Sequence, residues 1–177
     1  AEYAVRIPQK SNLINHTSMT ADRKGHPYIA TFYQSKADEK TQFKVIYKSS
    51  DVWNTATISD RKTPILLDGF GTRSIPVSRP QILHNHQTNM LQVVYRDEEY
   101  GNRARLPSAQ LGTLKDWKTI TLADQSLARW EPSFDTEPWR SKQQLHLYFQ
   151  TVRQGQGEKA VEGPSSTMVQ ILQVIIH

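Results

Sequence analysis

The chain has no cysteine, which excludes disulfide bonds and any zinc site built on thiolates. It has no apolar run approaching the roughly 18 residues of a membrane-spanning helix, so no membrane partner is expected. One-sided charge is lacking as well. Lysine and arginine number 22 against 17 acidic residues, a net charge of +5 over 177 residues. The basic residues are scattered and never line up as they do on a nucleic-acid-binding helix, so the mild positive bias favours acidic partners other than nucleic acid. No segment holds a 3.6-residue apolar period for three turns, which argues against a helical domain. The opening stretch AEYAVRIPQK lacks both an initiator Met and signal-peptide character. We therefore expect the chain to be processed or excised from something longer.

What is present has the period of strands. HPYIATFY (26–33), TQFKVIYK (41–48), MLQVVYR (90–96), LHLYFQ (145–150) and MVQILQVIIH (168–177) are short and rich in β-branched and aromatic residues. Turn-forming stretches at 22–25, 49–51, 155–157 and 163–166 bound them. The fold class expected is all-β. A repeat sharpens this. VWNTATIS (52–59) returns as DWKTITLA (116–123), placing Trp53 and Trp117 64 residues apart. Upstream, IATFY (29–33) and LQVVY (91–95) are separated by 62, and LHLYF (145–149) resembles a third copy. Such a unit fits the blade of a β-propeller, about three blades of four antiparallel strands each. Three blades do not close a ring, so the missing blades are an expected partner. The last strand, VQILQVIIH, is expected to close the ring by pairing with strands from the N-terminal part.

Several of these segments carry a resemblance. NLINHTSM (12–19), GHPYIATFY (25–33), GTRSIPVSRPQI (71–82), VVYRDEEYGNR (93–103) and WEPSFDTEPW (130–139) resemble the C-terminal half of the BNR-repeat seven-bladed propeller family. That family includes ulvan lyases and the relatives that cleave L-rhamnose from glucuronic acid. The resemblance implies that residues 1–177 are the C-terminal portion of one propeller domain whose N-terminal blades lie elsewhere. It implies a secreted or periplasmic carbohydrate-active enzyme that cleaves rhamnose–glucuronate linkages in acidic polysaccharides by β-elimination. Hydrolysis by an α-L-rhamnosidase, or a propeller that binds acidic glycan without cleaving it, are the alternatives. The family's catalytic motifs match nothing in this sequence, so no catalytic residue is assigned and the chain alone is expected to be inactive.

Candidate binding residues follow from the chemistry of a uronate. Its carboxylate is met best by the planar fork of arginine. GFGTRSIPVSRPQI (69–82) presents Arg73 and Arg79 in a Gly- and Pro-framed connector, with Arg79 just before an innermost strand. We expect Arg79 to point into the central funnel with Arg73 at its rim. Arg129, before Trp130-Glu131-Pro132, takes the corresponding place one unit later. His16 is a weaker candidate, with a structural hydrogen bond the simpler role and a sugar contact the alternative. His84 and His86 share one face of a strand but have no third ligand in register, and are expected to be a surface pair. No cofactor is expected, with a structural metal ion left open. Arg96, Asp97 and Glu98 are expected to form an ion-pair cluster at a strand end. Tyr33, Tyr95 and Tyr148 repeat with the blades and are expected in the core.

Overall fold

The computed structural model describes residues 2–13, 17–36, 39–65, 75–155 and 167–175. Its strands are β1 (Ser18–Ala21), β2 (Pro27–Tyr33), β3 (Gln42–Ser49), β4 (Val52–Thr57), β5 (Gln81–Asn85), β6 (Met90–Asp97), β7 (Arg103–Gln110), β8 (Lys118–Thr121), β9 (Leu145–Phe149) and β10 (Gln170–Val174). One short α-helix, α1 (Thr136–Lys142), stands before β9. Among the described residues no helix is long and apolar enough to cross a membrane.

The strands form all-β blades. β1 to β4 make one antiparallel four-stranded sheet in sequence order, and β5 to β8 make a second. The repeat occupies equivalent positions in both. Trp53 lies in the outermost strand β4, and Trp117 directly precedes the outermost strand β8. Among the described residues the third unit shows two named strands and a bridged segment. β9 pairs with β10, and residues 133–135 run along the other edge of β9 through the Phe134–Leu147 bridge. The Asp135 N–H donates to the His146 carbonyl at 2.9 Å and the Tyr148 N–H to the Ser133 carbonyl at 3.1 Å. The last strand lies at the edge of its sheet among the described residues. β10 pairs along its whole length with β9 of its own unit, from Gln170↔Phe149 to Val174↔Leu145.

Strand β7 escaped the sequence reading, and Pro107 is the reason. The β6–β7 ladder runs from Met90↔Gln110 to Gln92↔Ser108, breaks, and resumes at Tyr95↔Arg105. Proline has no N–H to donate, so the break falls where Pro107 sits.

Strand β6 shows how the sheets pack. It is buried from Leu91 to Asp97, because successive side chains enter opposite junctions. Leu91, Val93 and Tyr95 join Phe32, Phe43 and Val45 of the first sheet in one apolar core. Val94 joins Leu106, Trp130, Leu145, Leu147 and Phe149 in a second core, shared with the third unit. Phe43 and Tyr95 stack across the first junction with ring centroids 3.9 Å apart. Tyr33 and Tyr95 are core residues as expected, at 4% and 1% exposure. Tyr148 is only half-buried, its hydroxyl donating to Asp135 Oδ2 at 3.2 Å.

Candidate anion site at the junction of the second and third units

Antiparallel pairing gives each sheet two rims. One rim gathers the connectors and loops 58–65, 75–80, 98–102 and 122–132. The opposite rim gathers the turns 22–26, 50–51, 86–89 and 111–117. A cleft of about 710 Å³ opens at that opposite rim between Tyr28, Tyr47, Lys48 and Leu114. It contains none of the arginines singled out in the sequence. Arg79, Arg96 and Arg129 belong to the connector rim.

The rim is organised around Arg96, near the end of β6. Its side chain is 1% exposed. Nε donates to the Trp130 carbonyl at 3.1 Å and Nη2 to the Ile75 carbonyl at 3.0 Å. Nη1 donates to the Pro76 carbonyl at 3.1 Å and to Asn102 Oδ1 at 2.7 Å. The main chain adds a clasp. The Ser78 N–H donates to the Arg96 carbonyl at 2.9 Å, and the Arg96 N–H to Ser78 Oγ at 2.7 Å. One guanidinium thus ties the connector leading into β5 to the connector leading into the third unit. Arg96 forms no salt bridge among the described residues. Burial first, and then the neighbouring charge of Arg129, bring its pKa down to about 10. That value keeps it cationic at neutral pH.

The expected cluster of Arg96, Asp97 and Glu98 is therefore corrected. Three sequence neighbours go to three different partners. Arg96 binds carbonyls, Asp97 ion-pairs with buried Arg61, and Glu98 ion-pairs with Arg129 at 2.9 Å. Alternation along β6 sends Arg96 and Asp97 to opposite faces. Glu99 completes the Arg61 side. Its carboxylate accepts from the N–H groups of Lys62 and Thr63 and from the Thr63 hydroxyl.

Arg79 lies on the same connector, held by the main chain. Pro80 follows it, and its own N–H donates to Glu131 Oε2 at 2.8 Å across the junction. The residue is exposed. Its guanidinium enters no salt bridge among the described residues. Arg129 is different. Its Nη1 is committed to Glu98 and to the Ile75 carbonyl at 3.4 Å. The structure thus separates two arginines that the sequence treats as equivalent. Arg73 and His16 lie outside the described residues.

Glu131 was not singled out from the sequence. The signal available was the parallel between Arg79-Pro80 and Glu131-Pro132, each an X-Pro step entering an inner strand segment. Desolvation of its carboxyl raises its pKa, while the Arg79 N–H and the charges of Arg96 and Arg79 oppose the rise.

The histidines also depart from expectation. His84 is buried at 2% exposure and is no surface residue. Its ring meets that of His86 edge to face at 4.5 Å, and its Nε2 lies 3.2 Å from Asn89 Oδ1. Burial and the neighbouring His84 lower the pKa of His86. No group of three or more potential metal ligands occurs among the described residues.

The blade architecture and the repeat define a class, a repeat protein of antiparallel β-blades. Comparison with known families agrees for the first part of the chain. Residues 1–61, which hold the first sheet, match a family described as "BNR repeat-containing family member". No curated protein matches the chain.

Proposed function

We propose that the connector rim between the second and third units holds the carboxylate of an acidic glycan, with Arg79 as the contacting residue. The observation that carries this reading is the state of Arg79. Among the described residues it is a clasped, exposed arginine with no acidic partner for its guanidinium, beside a buried arginine whose charge no salt bridge neutralises. Arginine in that setting presents two parallel N–H donors to an incoming carboxylate. The repeat match supports a setting among glycosidase-like or sialidase-like repeat proteins.

For the full protein we propose cleavage of rhamnose–glucuronate linkages by β-elimination. In that reaction a base removes the C5 proton, the leaving oxygen is protonated, and a double bond forms in the uronate ring. The cation on the carboxylate stabilises the charge that develops when the proton leaves. This part of the protein supplies the cation, and no residue of it is assigned as acid or base. Arg73 and His16, outside the described residues, belong to the proposal as further glycan contacts. Arg129, tied to Glu98, acts as a brace for the connector.

The test is Arg79→Ala in the full chain, with a short oligoglucuronate as probe and calorimetric titration as readout. Binding should weaken by about tenfold, the lower end for a charge-assisted bond because the residue is exposed. Arg79→Lys should recover only part of it, since a point charge lacks the fork. The melting temperature should stay near that of the parent, as for other exposed positions. Unchanged binding with a sharply lowered melting temperature would show Arg79 to be structural and overturn the assignment. Ultraviolet absorbance of an unsaturated uronate product reports elimination, and rhamnose release without it reports hydrolysis.

A further inference from the structure

The contact that positions Arg79 comes from an acidic residue, which is unexpected beside a site for anions. Glu131 reaches across the junction and accepts the Arg79 main-chain N–H at 2.8 Å, and among the described residues the Arg79 guanidinium enters no salt bridge. Its carboxyl sits within the field of two cations, Arg79 on the connector and Arg96 on β6. Beyond Arg96 lie Arg129 and Glu98, which neutralise one another as a pair. The charged groups facing Glu131 among the described residues are therefore the two arginines that attract an anion.

From this arrangement we infer that Glu131 is a positioning residue with a second role, as a built-in competitor that sets the affinity of the Arg79 site for anions according to pH. The inference rests on the proposed function, because it takes Arg79 as the anion contact. When ionised, Glu131 anchors the Arg79 backbone and cancels part of the positive potential at the rim. When protonated, its second oxygen still accepts the N–H, so the anchor persists while the competing charge is gone. The sign follows. Glucuronate carboxylates ionise at about pH 3–4, like other carboxylic acids activated by a neighbouring oxygen or charge. The carboxyl of Glu131 takes up its proton at a higher pH than an ordinary Glu, because its surroundings disfavour the charge. On acidification Glu131 therefore loses its charge before the ligand does, and binding tightens. By linkage, a bound uronate makes Glu131 easier still to protonate.

The experiment is calorimetric titration of the full chain with oligoglucuronate at pH 8 and pH 5, with an uncharged glucose oligomer of equal length as control. The parent should bind more tightly at pH 5 than at pH 8, by up to about threefold to tenfold, the effect of removing one unit charge several ångströms away in a well-solvated setting. Glu131→Gln keeps an acceptor for the Arg79 N–H and removes the charge. It should bind at pH 8 more tightly than the parent does, with the pH dependence flattened. Glu131→Ala removes charge and anchor together and should bind more weakly than Glu131→Gln at both pH values. Two results overturn the inference: a Glu131→Gln protein that keeps the parent's pH slope, or Gln and Ala variants that bind alike. A purely structural Glu131 would move the melting temperature and leave the slope unaltered. The outcomes also separate the two readings. If Arg79→Ala binds the probe like the parent, the proposed function fails. If Arg79→Ala loses binding while Glu131→Gln changes nothing, only the role of Glu131 fails.

Discussion

At the junction of the first and second sheets the buried guanidinium belongs to Arg61, and its partner is the carboxylate of Asp97, which is 0% exposed. At the junction of the second and third units the buried guanidinium belongs to Arg96, and its partners are three main-chain carbonyls and one side-chain amide. At the second junction every guanidinium nitrogen of Arg96 finds an acceptor, as costly buried donors require. At the first, Arg61 Nε and Asp97 Oδ2 have no hydrogen-bond partner among the described residues. The two junctions also differ in what they leave behind. A carboxylate cancels the charge of the arginine it binds, whereas carbonyls satisfy its hydrogens and leave the charge in place. The first junction is electrostatically closed. The second keeps a cation beneath the exposed Arg79, with Glu131 as the nearby counterweight. The lesson is that two junctions of similar apolar packing can be given opposite electrostatic character by the partner chosen for one buried arginine.

Mutation of Arg96 tests this contrast with the largest expected effect. Arg96→Met takes the Arg96 donors from the Trp130 carbonyl and Asn102 Oδ1 and loosens both connectors, while the Pro76 carbonyl keeps the Glu98 N–H and the Ile75 carbonyl keeps Arg129 Nη1. It should cost about 3–4 kcal/mol of stability in urea unfolding, because four hydrogen bonds from a buried cation are lost at once. Arg96→Lys should restore little of this, since one ammonium cannot span donors directed at two connectors. A cost below about 1 kcal/mol would show that the clasp is dispensable.

The first junction should behave differently. Asp97→Asn removes the carboxylate bound to Arg61, leaving Glu99 at 3.9 Å as its nearest counter-charge, and should cost about 2–3 kcal/mol. Replacing both partners with apolar residues, Arg61→Met with Asp97→Leu, should recover most of that loss, as removal of a whole buried ion pair often does. If the double variant is as unstable as Asp97→Asn, the pair is not the isolated unit described above.

The smallest effect concerns acid. Burial pushes the carboxyl of Glu99 up, but the Thr63 and Lys62 N–H groups, the Thr63 hydroxyl and Arg61 outweigh it and hold the pKa below the ordinary value. The folded state therefore binds this proton more weakly than the unfolded chain does. The stabilisation from Glu99 is complete above the ordinary Glu value of about 4.3 and is lost as pH falls through the lower folded value. Melting curves of the parent and Glu99→Gln should converge as pH drops from neutral into that range. Curves that stay parallel down to acid pH would show that the Glu99 clasp contributes nothing through its charge.

The sequence by itself determined the strands, the repeat and part of the core. Alternation of β-branched and aromatic residues and the turn residues between them are local properties, so β2, β3, β6 and β9 emerge close to their observed ends. Trp53 and Trp117 mark equivalent outer strands for the same reason, and Tyr33 and Tyr95 fall in the core because their positions within the repeat are alike. Where a residue broke the local pattern, as Pro107 does in β7, the reading failed. The tertiary structure alone decided the partners of the arginines. Glu131 and Arg79 are separated by 52 residues, and Arg96 and the Trp130 carbonyl by 34. No periodicity carries such pairings, because they depend on how closely two connectors approach once the sheets between them have packed. Arg79 and Arg129 look alike in sequence, each preceding an inner strand segment of its unit. Only the packing brought Glu98 to the guanidinium of Arg129 and the Glu131 carboxylate to the backbone of Arg79, whose guanidinium enters no salt bridge among the described residues.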